Sequence, residues 1–240
     1  MPVHTNFNRF KEPRGFIKVI QFVIAILAFS TTAGYNGEGT ATISVHGTKC
    51  EVKGEFSYSF DKIDVSYACE GSTNTTKKEE DLSSVLKSSS EFFVFVGVVT
   101  FLYCIVAMVY YVCFEDPAKY GPGGTGRDIM SFATVDLAIT IILTLFWFCG
   151  STAWASGVQK LKDETDIEDQ CDDCKVTDKP NYAGLIISVL FGFLCFFLWG
   201  ANIWFVFKET IWHKEPEATI TAEKPQVEIP RQEVPGEAVP

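Results

Sequence analysis

Four stretches of the chain are almost purely apolar: Phe16–Gly34, Phe92–Phe114, Leu137–Ala155 and Ala183–Phe207. The last three hold no charge, and the first holds only Lys18 and Gln21 near its start. Each approaches the ~20 residues that carry a helix across ~30 Å of hydrocarbon. Core helices of soluble proteins are shorter and amphipathic, so the pattern predicts four transmembrane helices at about 16–34, 92–114, 137–155 and 183–207. Between the first two runs the period changes. Val52, Phe56, Tyr58 and Phe60 fall on even positions with polar residues between them, and Ile43-Ser44-Val45 and Ile63-Asp64-Val65-Ser66-Tyr67 alternate as well. A period of two belongs to strands with one covered face. The expected fold is an all-α membrane protein, a four-transmembrane-helix bundle, with a small antiparallel β-sheet inside residues 40–68.

Charge adds direction to this pattern. The chain is 47% hydrophobic yet carries a net charge of -10, so its acidity is confined to the segments between the apolar runs. Arg9, Lys11, Arg14 and Lys18 precede or open the first run. The positive-inside rule puts that end in the cytosol. Four crossings return the C-terminus there, with Lys208 and Lys214 just past the fourth run. Residues 1–15 are then a cytosolic arm and 16–210 the membrane domain. Loop 115–136 is cytosolic, and loops 35–91 and 156–182 are luminal. Residues 211–240, rich in Pro and Glu and without an aromatic beyond Trp212, form a disordered tail. A second reading of the first run is a cleaved signal peptide ending near Thr31-Thr32-Ala33, which leaves three spans.

The luminal assignment agrees with the cysteines. Cys50 and Cys69 lie in one loop, Cys171 and Cys174 in the other, and an oxidising compartment favours disulfides. Four cysteines allow three pairings; the local one is Cys50–Cys69 with Cys171–Cys174. Asn74-Thr75-Thr76 is a glycosylation sequon on the same side. Cys104, Cys113, Cys149 and Cys195 fall in the helices as small apolar fillers.

Within the helices, Gly184, Ser188, Gly192 and Gly200 mark a smooth face for close helix packing. Tryptophans 147, 154, 199, 204 and 212 suit an interfacial belt. Asp136, just before Leu137, reads as the N-cap of helix three; the other reading is a buried functional acid. With Asp136 as a cap the helices hold no relay of ionisable groups, as a pump or transporter would. His4, His46 and His213 are far apart, and two acids between Cys171 and Cys174 argue against redox catalysis. No enzyme activity, cofactor, metal or nucleic-acid partner is expected. Lys11, Arg14 and Lys18 suit anionic headgroups, and Arg14-Gly-Phe16-Ile-Lys-Val19 fits a loose sterol-contact pattern, so cholesterol is the one small molecule expected.

Four segments carry a family resemblance: "KEPRGFIKVIQFVIAILAFSTTAGY" at 11–35, "SSSEFFVFVGVVTFLY" at 88–103, "FWFCGSTAWASGV" at 146–158 and "LFGFLCFFLWGANIWFVFKET" at 190–210. Together they resemble the membrane segments of the synaptophysin family. The resemblance implies the four-helix MARVEL module, cytosolic termini and two disulfide-bonded luminal loops. It also implies a synaptic or secretory vesicle protein that self-associates, contacts cholesterol and synaptobrevin, and tunes exocytosis and cargo retrieval. The chain departs from neuronal synaptophysin in lacking its long Tyr-Gly repeat tail and in the link "CFEDPAKYGPGGTG" after helix two. Other function classes consistent with four spans are an oligomeric pore and a claudin-type junctional protein.

Overall fold

A computed structural model describes residues 13–45, 48–71, 76–113, 127–165 and 174–207. Its elements run α1 (Pro13–Ala33), β1 (Asn36–Val45), β2 (Thr48–Ser57), β3 (Lys62–Cys69), β4 (Thr76–Asp81), α2 (Ser84–Cys113), α3 (Arg127–Thr165), β5 (Cys174–Asp178) and α4 (Ala183–Phe207). All four helices are long and apolar enough to cross a membrane. Residues 1–12 of the arm expected at 1–15, and the tail expected at 211–240, lie outside the described residues; 13–15 belong to α1.

Helix ends follow local chemistry rather than the edge of the apolar runs. Proline opens α1 at the position where its missing N–H is not needed. The α1 helix closes where the Gly34 N–H bonds the Ser30 carbonyl at 2.9 Å. The α2 helix begins at Ser84, well before the apolar run, because Ser84–Glu91 contains no helix breaker. The α3 helix is 39 residues long, or about 58 Å at 1.5 Å per residue, and outruns the hydrocarbon at both ends. It starts directly after Gly126, the last glycine of the 117–126 link, and nothing in Asp128–Val135 interrupts it. Asp136 therefore lies more than two turns inside α3 and is not its N-cap, which corrects the expectation from sequence.

The helices form a ring in which α1 packs on α2 and α4, and α3 packs on α2 and α4. The buried seam of α4 is Leu185, Ser188, Gly192, Cys195, Trp199, Asn202 and Val206. The alternating spacing of three and four is that of knobs-into-holes packing. Trp147, Trp154 and Trp199 are wholly buried inside the bundle, so these three do not form an interfacial belt; Trp204 is exposed. Phe16, Val106 and Phe197, each more than half exposed, belong to the outer surface.

A five-stranded antiparallel sheet, in the order β4-β3-β2-β1-β5, joins the two loops at the end of the bundle where α1 and α3 finish. Its inner face carries Ala41, Val52, Phe56, Ile63, Val65 and Tyr67, the alternation visible in sequence. Two strands were not expected. β4, Thr-Lys-Lys-Glu-Glu-Asp, is exposed throughout and has no apolar alternation; it forms because β3 offers an open edge, and Lys62 reaches Glu79 at 2.8 Å. β5 comes from the second loop and pairs with β1, Ile43 opposite Cys174. On the outer face Lys53 sits between Glu55 at 2.7 Å and Glu38 at 3.1 Å, and their hydrogen bonds push its ammonium up to about 12. Exposed pairs of this kind add little stability.

Aromatic residues dock the sheet on the bundle. The β2–β3 turn places Phe60 at φ 60°, in the left-handed region, and buries its ring 5.4 Å from Trp154. Tyr35 lies 6.0 Å from Phe60 and 6.1 Å from Phe56, and donates its hydroxyl to the Asn181 carbonyl at 3.0 Å. Lys87 on α2 holds Asp61 of the same turn at 3.4 Å, and the Ser90 hydroxyl donates to the Ser59 carbonyl at 3.2 Å.

Candidate functional site

The first three helices each contribute one costly residue to a cluster at the end of the bundle away from the sheet. Lys18 lies fifteen residues before the end of α1, about 22 Å along its axis. Its ammonium sits 3.1 Å from Asp136 Oδ1, and both side chains are 1% exposed. Tyr103 of α2 donates its hydroxyl to the same carboxylate oxygen in a short hydrogen bond. Thr140, one turn on from Asp136, is at 3.5 Å. The Lys18 ammonium also faces the Tyr103 ring at 5.0 Å and the Trp199 ring of α4 at 4.7 Å, so a cation–π face covers the charge that the carboxylate leaves open.

This geometry joins helices that do not otherwise meet. The backbones of α1 and α3 make no close approach, nor do those of α2 and α4. Lys18–Asp136 bridges the first diagonal, and the Tyr103–Trp199 ring pair, 6.0 Å apart, bridges the second. One turn deeper, Gln21 donates its amide to the Leu198 carbonyl at 3.3 Å. The expectation that Lys18 meets anionic headgroups is thus corrected: its side chain is 1% exposed and its ammonium meets the buried Asp136 carboxylate instead. Asp136 is accordingly a buried acid, the second of its two readings from sequence, and is paired with Lys18. Alone, either charge would cost ~3 kcal/mol at the centre of a span, and together they form a neutral, hydrogen-bonded unit.

Further layers towards the sheet use the same device. The Trp147 indole donates to Thr100 at 3.0 Å, joining α3 to α2, and the Trp154 indole donates to Ser188 at 2.9 Å, joining α3 to α4. Between them Gly192 lies against α2 and α3. A Cβ there would fall 2.5 Å from Ser151 Oγ and 2.6 Å from the Phe93 ring.

Other residues singled out in the sequence distribute as follows. Ser188 and Gly192 are on the buried α4 seam; Gly184 lies beside Tyr35, and a Cβ at Gly200 would meet nothing within 4 Å. Phe16 is 59% exposed on α1. Arg14 is helical but its side chain, like Lys11 and Asn74, lies outside the described residues. Cys50 and Cys69 face each other across β2 and β3 and are disulfide-bonded. Cys171 and the Cys174 side chain lie outside the described residues, so their pairing does too. Cys104 and Cys195 are buried thiols and Cys149 is exposed.

Sequence reasoning missed Tyr103 and Trp199 as partners of Lys18 and Asp136, and the Gln21–Leu198 bond one turn deeper. A signal was present: one lone cation and one lone acid in otherwise uncharged runs are each affordable only beside the other. No cluster of His, Cys, Asp and Glu fit for a metal occurs among the described residues. A concavity of about 870 Å³ lies between the inner face of the sheet and the ends of α3 and α4, with Ile43, Val65 and Tyr67 on one side and Lys162 and Glu164 on the other. Among the described residues no buried polar atom that lines it is orphaned. Burial pushes the Tyr35 hydroxyl at this end of the molecule up to about 12, with Tyr182 adding to the shift.

The site is thus a set of interhelical locks inside four spans capped by a disulfide-stapled sheet. A family model for MARVEL, the membrane-associating domain, matches residues 9–205, which takes in the first three helices, all but the last two residues of the fourth and the three loops between them. On that match, and on the four-span fold it shares, the chain belongs to the MARVEL membrane-associating family.

Proposed function

We propose that this protein is a non-enzymatic organiser of synaptic or secretory vesicle membranes. It acts through self-association and contact with lipid and cholesterol, and it regulates trafficking, exocytosis and retrieval of a synaptobrevin-like fusion protein. The observation that carries the reading is the partition of side chains. Among the described residues Lys18 and Asp136 are turned inward and paired with each other, while Leu102, Val106, Leu145 and Phe197 are apolar and exposed on the outer surface. Such a body has its chemistry directed at lipid and at neighbouring helices. The Trp147, Trp154 and Trp199 rings fill the centre of the bundle, so a conducting path would have to run between protomers.

The termini face the cytosol and the sheet faces the lumen, where the Cys50–Cys69 bond fits an oxidising compartment. Protease added to intact vesicles then removes the 211–240 tail and spares residues 36–81; the reverse pattern refutes this orientation. Vesicle localisation with crosslinking to a fusion protein tests the rest. Concentration at cell–cell contacts refutes the vesicle assignment in favour of a junctional role, and selective conductance of purified protein in planar bilayers refutes the organiser reading.

A further inference from the structure

The α1–α4 seam beside Lys18 holds more hydrogen-bonding capacity than its neighbours use. Gln21 spends its amide N–H on the Leu198 carbonyl, but its Oε1 has no partner among the described residues. Among the described residues the Trp199 indole N–H has no acceptor, and neither amide atom of Asn202 has a partner. All three side chains are wholly buried.

These side chains share one stretch of the α1–α4 seam. Trp199 and Asn202 stand one turn apart on the buried face of α4. Helical side chains lean toward the N-terminus, so Asn202 lies back over the Leu198 turn, where the Gln21 amide is anchored. Lys18, one turn before Gln21, touches the Trp199 ring. The contrast with the other buried indoles is direct. Trp147 and Trp154, equally buried, have Thr100 and Ser188 as acceptors. At Trp199, by contrast, the unused donors, its indole and the Asn202 amide, share the seam with the unused acceptors, Gln21 Oε1 and Asn202 Oδ1.

A ligand for such a set must both donate and accept. An anion would leave the acceptors orphaned, and a cation the donors. Complete enclosure leaves no passage for a lipid tail behind a hydroxyl group. We propose that Gln21, Trp199 and Asn202 form an internal water site abutting the Lys18–Asp136 pair, holding about one or two waters at the usual three bonds each. The pair is then hydrated on the α1–α4 side inside the membrane span, and Asn202 is a positioning residue for that water.

The test is radiolytic footprinting of the full chain in lipid nanodiscs with ¹⁸O-labelled water, read by mass spectrometry at the three buried tryptophans. Bound water beside Trp199 gives several-fold faster ¹⁸O incorporation there than at Trp147 or Trp154. Equal, slow labelling at all three overturns the site. Asn202→Leu, close in volume, lowers the Trp199 rate to that of Trp147 while the Cys50–Cys69 bond stays intact. An unchanged Trp199 rate in this variant overturns the role of Asn202. The wild-type comparison stands even if the variant does not fold.

Discussion

Replacing Lys18 with methionine keeps the length of the side chain and removes its charge. The Asp136 carboxylate then remains 1% exposed, with Tyr103 and Thr140 as hydrogen-bonding neighbours, and loses the ammonium that faced it at 3.1 Å. Breaking a buried pair from one side costs about 3–5 kcal/mol, because the surviving charge is left uncompensated. Asp136→Leu strands the ammonium between two aromatic rings at a similar cost, offset in part by the cation–π contacts at 4.7 and 5.0 Å. The double variant has no orphaned charge. Its residual cost is the lost hydrogen bond from the Tyr103 hydroxyl to Asp136, about 1–3 kcal/mol. The two substitutions are therefore strongly non-additive, with a coupling of about 3 kcal/mol or more, or roughly two powers of ten in the unfolding constant. Reversible unfolding in mixed micelles, followed by tryptophan fluorescence, measures all four corners of the cycle. Single variants that each lose less than about 1 kcal/mol, or a double variant whose loss equals the sum of the singles, would refute the claim that this pair locks the diagonal.

Three further outcomes follow from the packing and the sheet. Gly192→Ala drives a Cβ into Ser151 and Phe93 and costs about 1–3 kcal/mol, whereas Gly200→Ala, with open space around it, is neutral or gains up to about 1 kcal/mol; thermal aggregation of the detergent-solubilised protein ranks the two. Cys50→Ser removes the staple across β2 and β3, which closes a segment with a sequence separation of 19, and costs about 3 kcal/mol, seen as faster proteolysis of residues 36–81. Tyr35 has its folded pKa raised from 10.0 to about 12, so the stability tied to its neutral form is intact below pH 10 and is lost as pH rises through 12. A pH titration of unfolding from 9 to 12 shows a steeper fall for the wild type than for Tyr35→Phe.

The four spans were legible because lipid demands long uncharged runs, and Phe92–Phe114 or Ala183–Phe207 admit no other reading. The inner face of β2 and β3 was legible for a similar reason, since alternation reports a covered side. The ends of α3 were not. Ser156–Thr165 is polar, and a helix that has left the membrane keeps its backbone bonds without needing apolar residues. β4 carries no pattern because its pairing uses only the backbone of β3 and a Lys62–Glu79 contact. Lys18 was misread because its rank along the chain, beside Lys11 and Arg14, suggests headgroups. Its partner stands 118 residues away, and only the folded ring of helices brings the two together. The α4 seam was half visible: Ser188 and Gly192 belong to it, while Gly184 and Gly200 flank it, because helices that coil around one another contact at every three and a half residues and not every four.

The pairing of β5 with β1 sets an order on biogenesis. Residues 36–81 leave the ribosome first, and their hairpins can zip up at once, but β1 keeps one bare flank until residues 174–178 are synthesised. That happens only after the third span has been threaded. A nascent chain whose third span stalls thus displays an unpaired β1 to passing chaperones, and completion of the sheet reports that three-quarters of the insertion has succeeded.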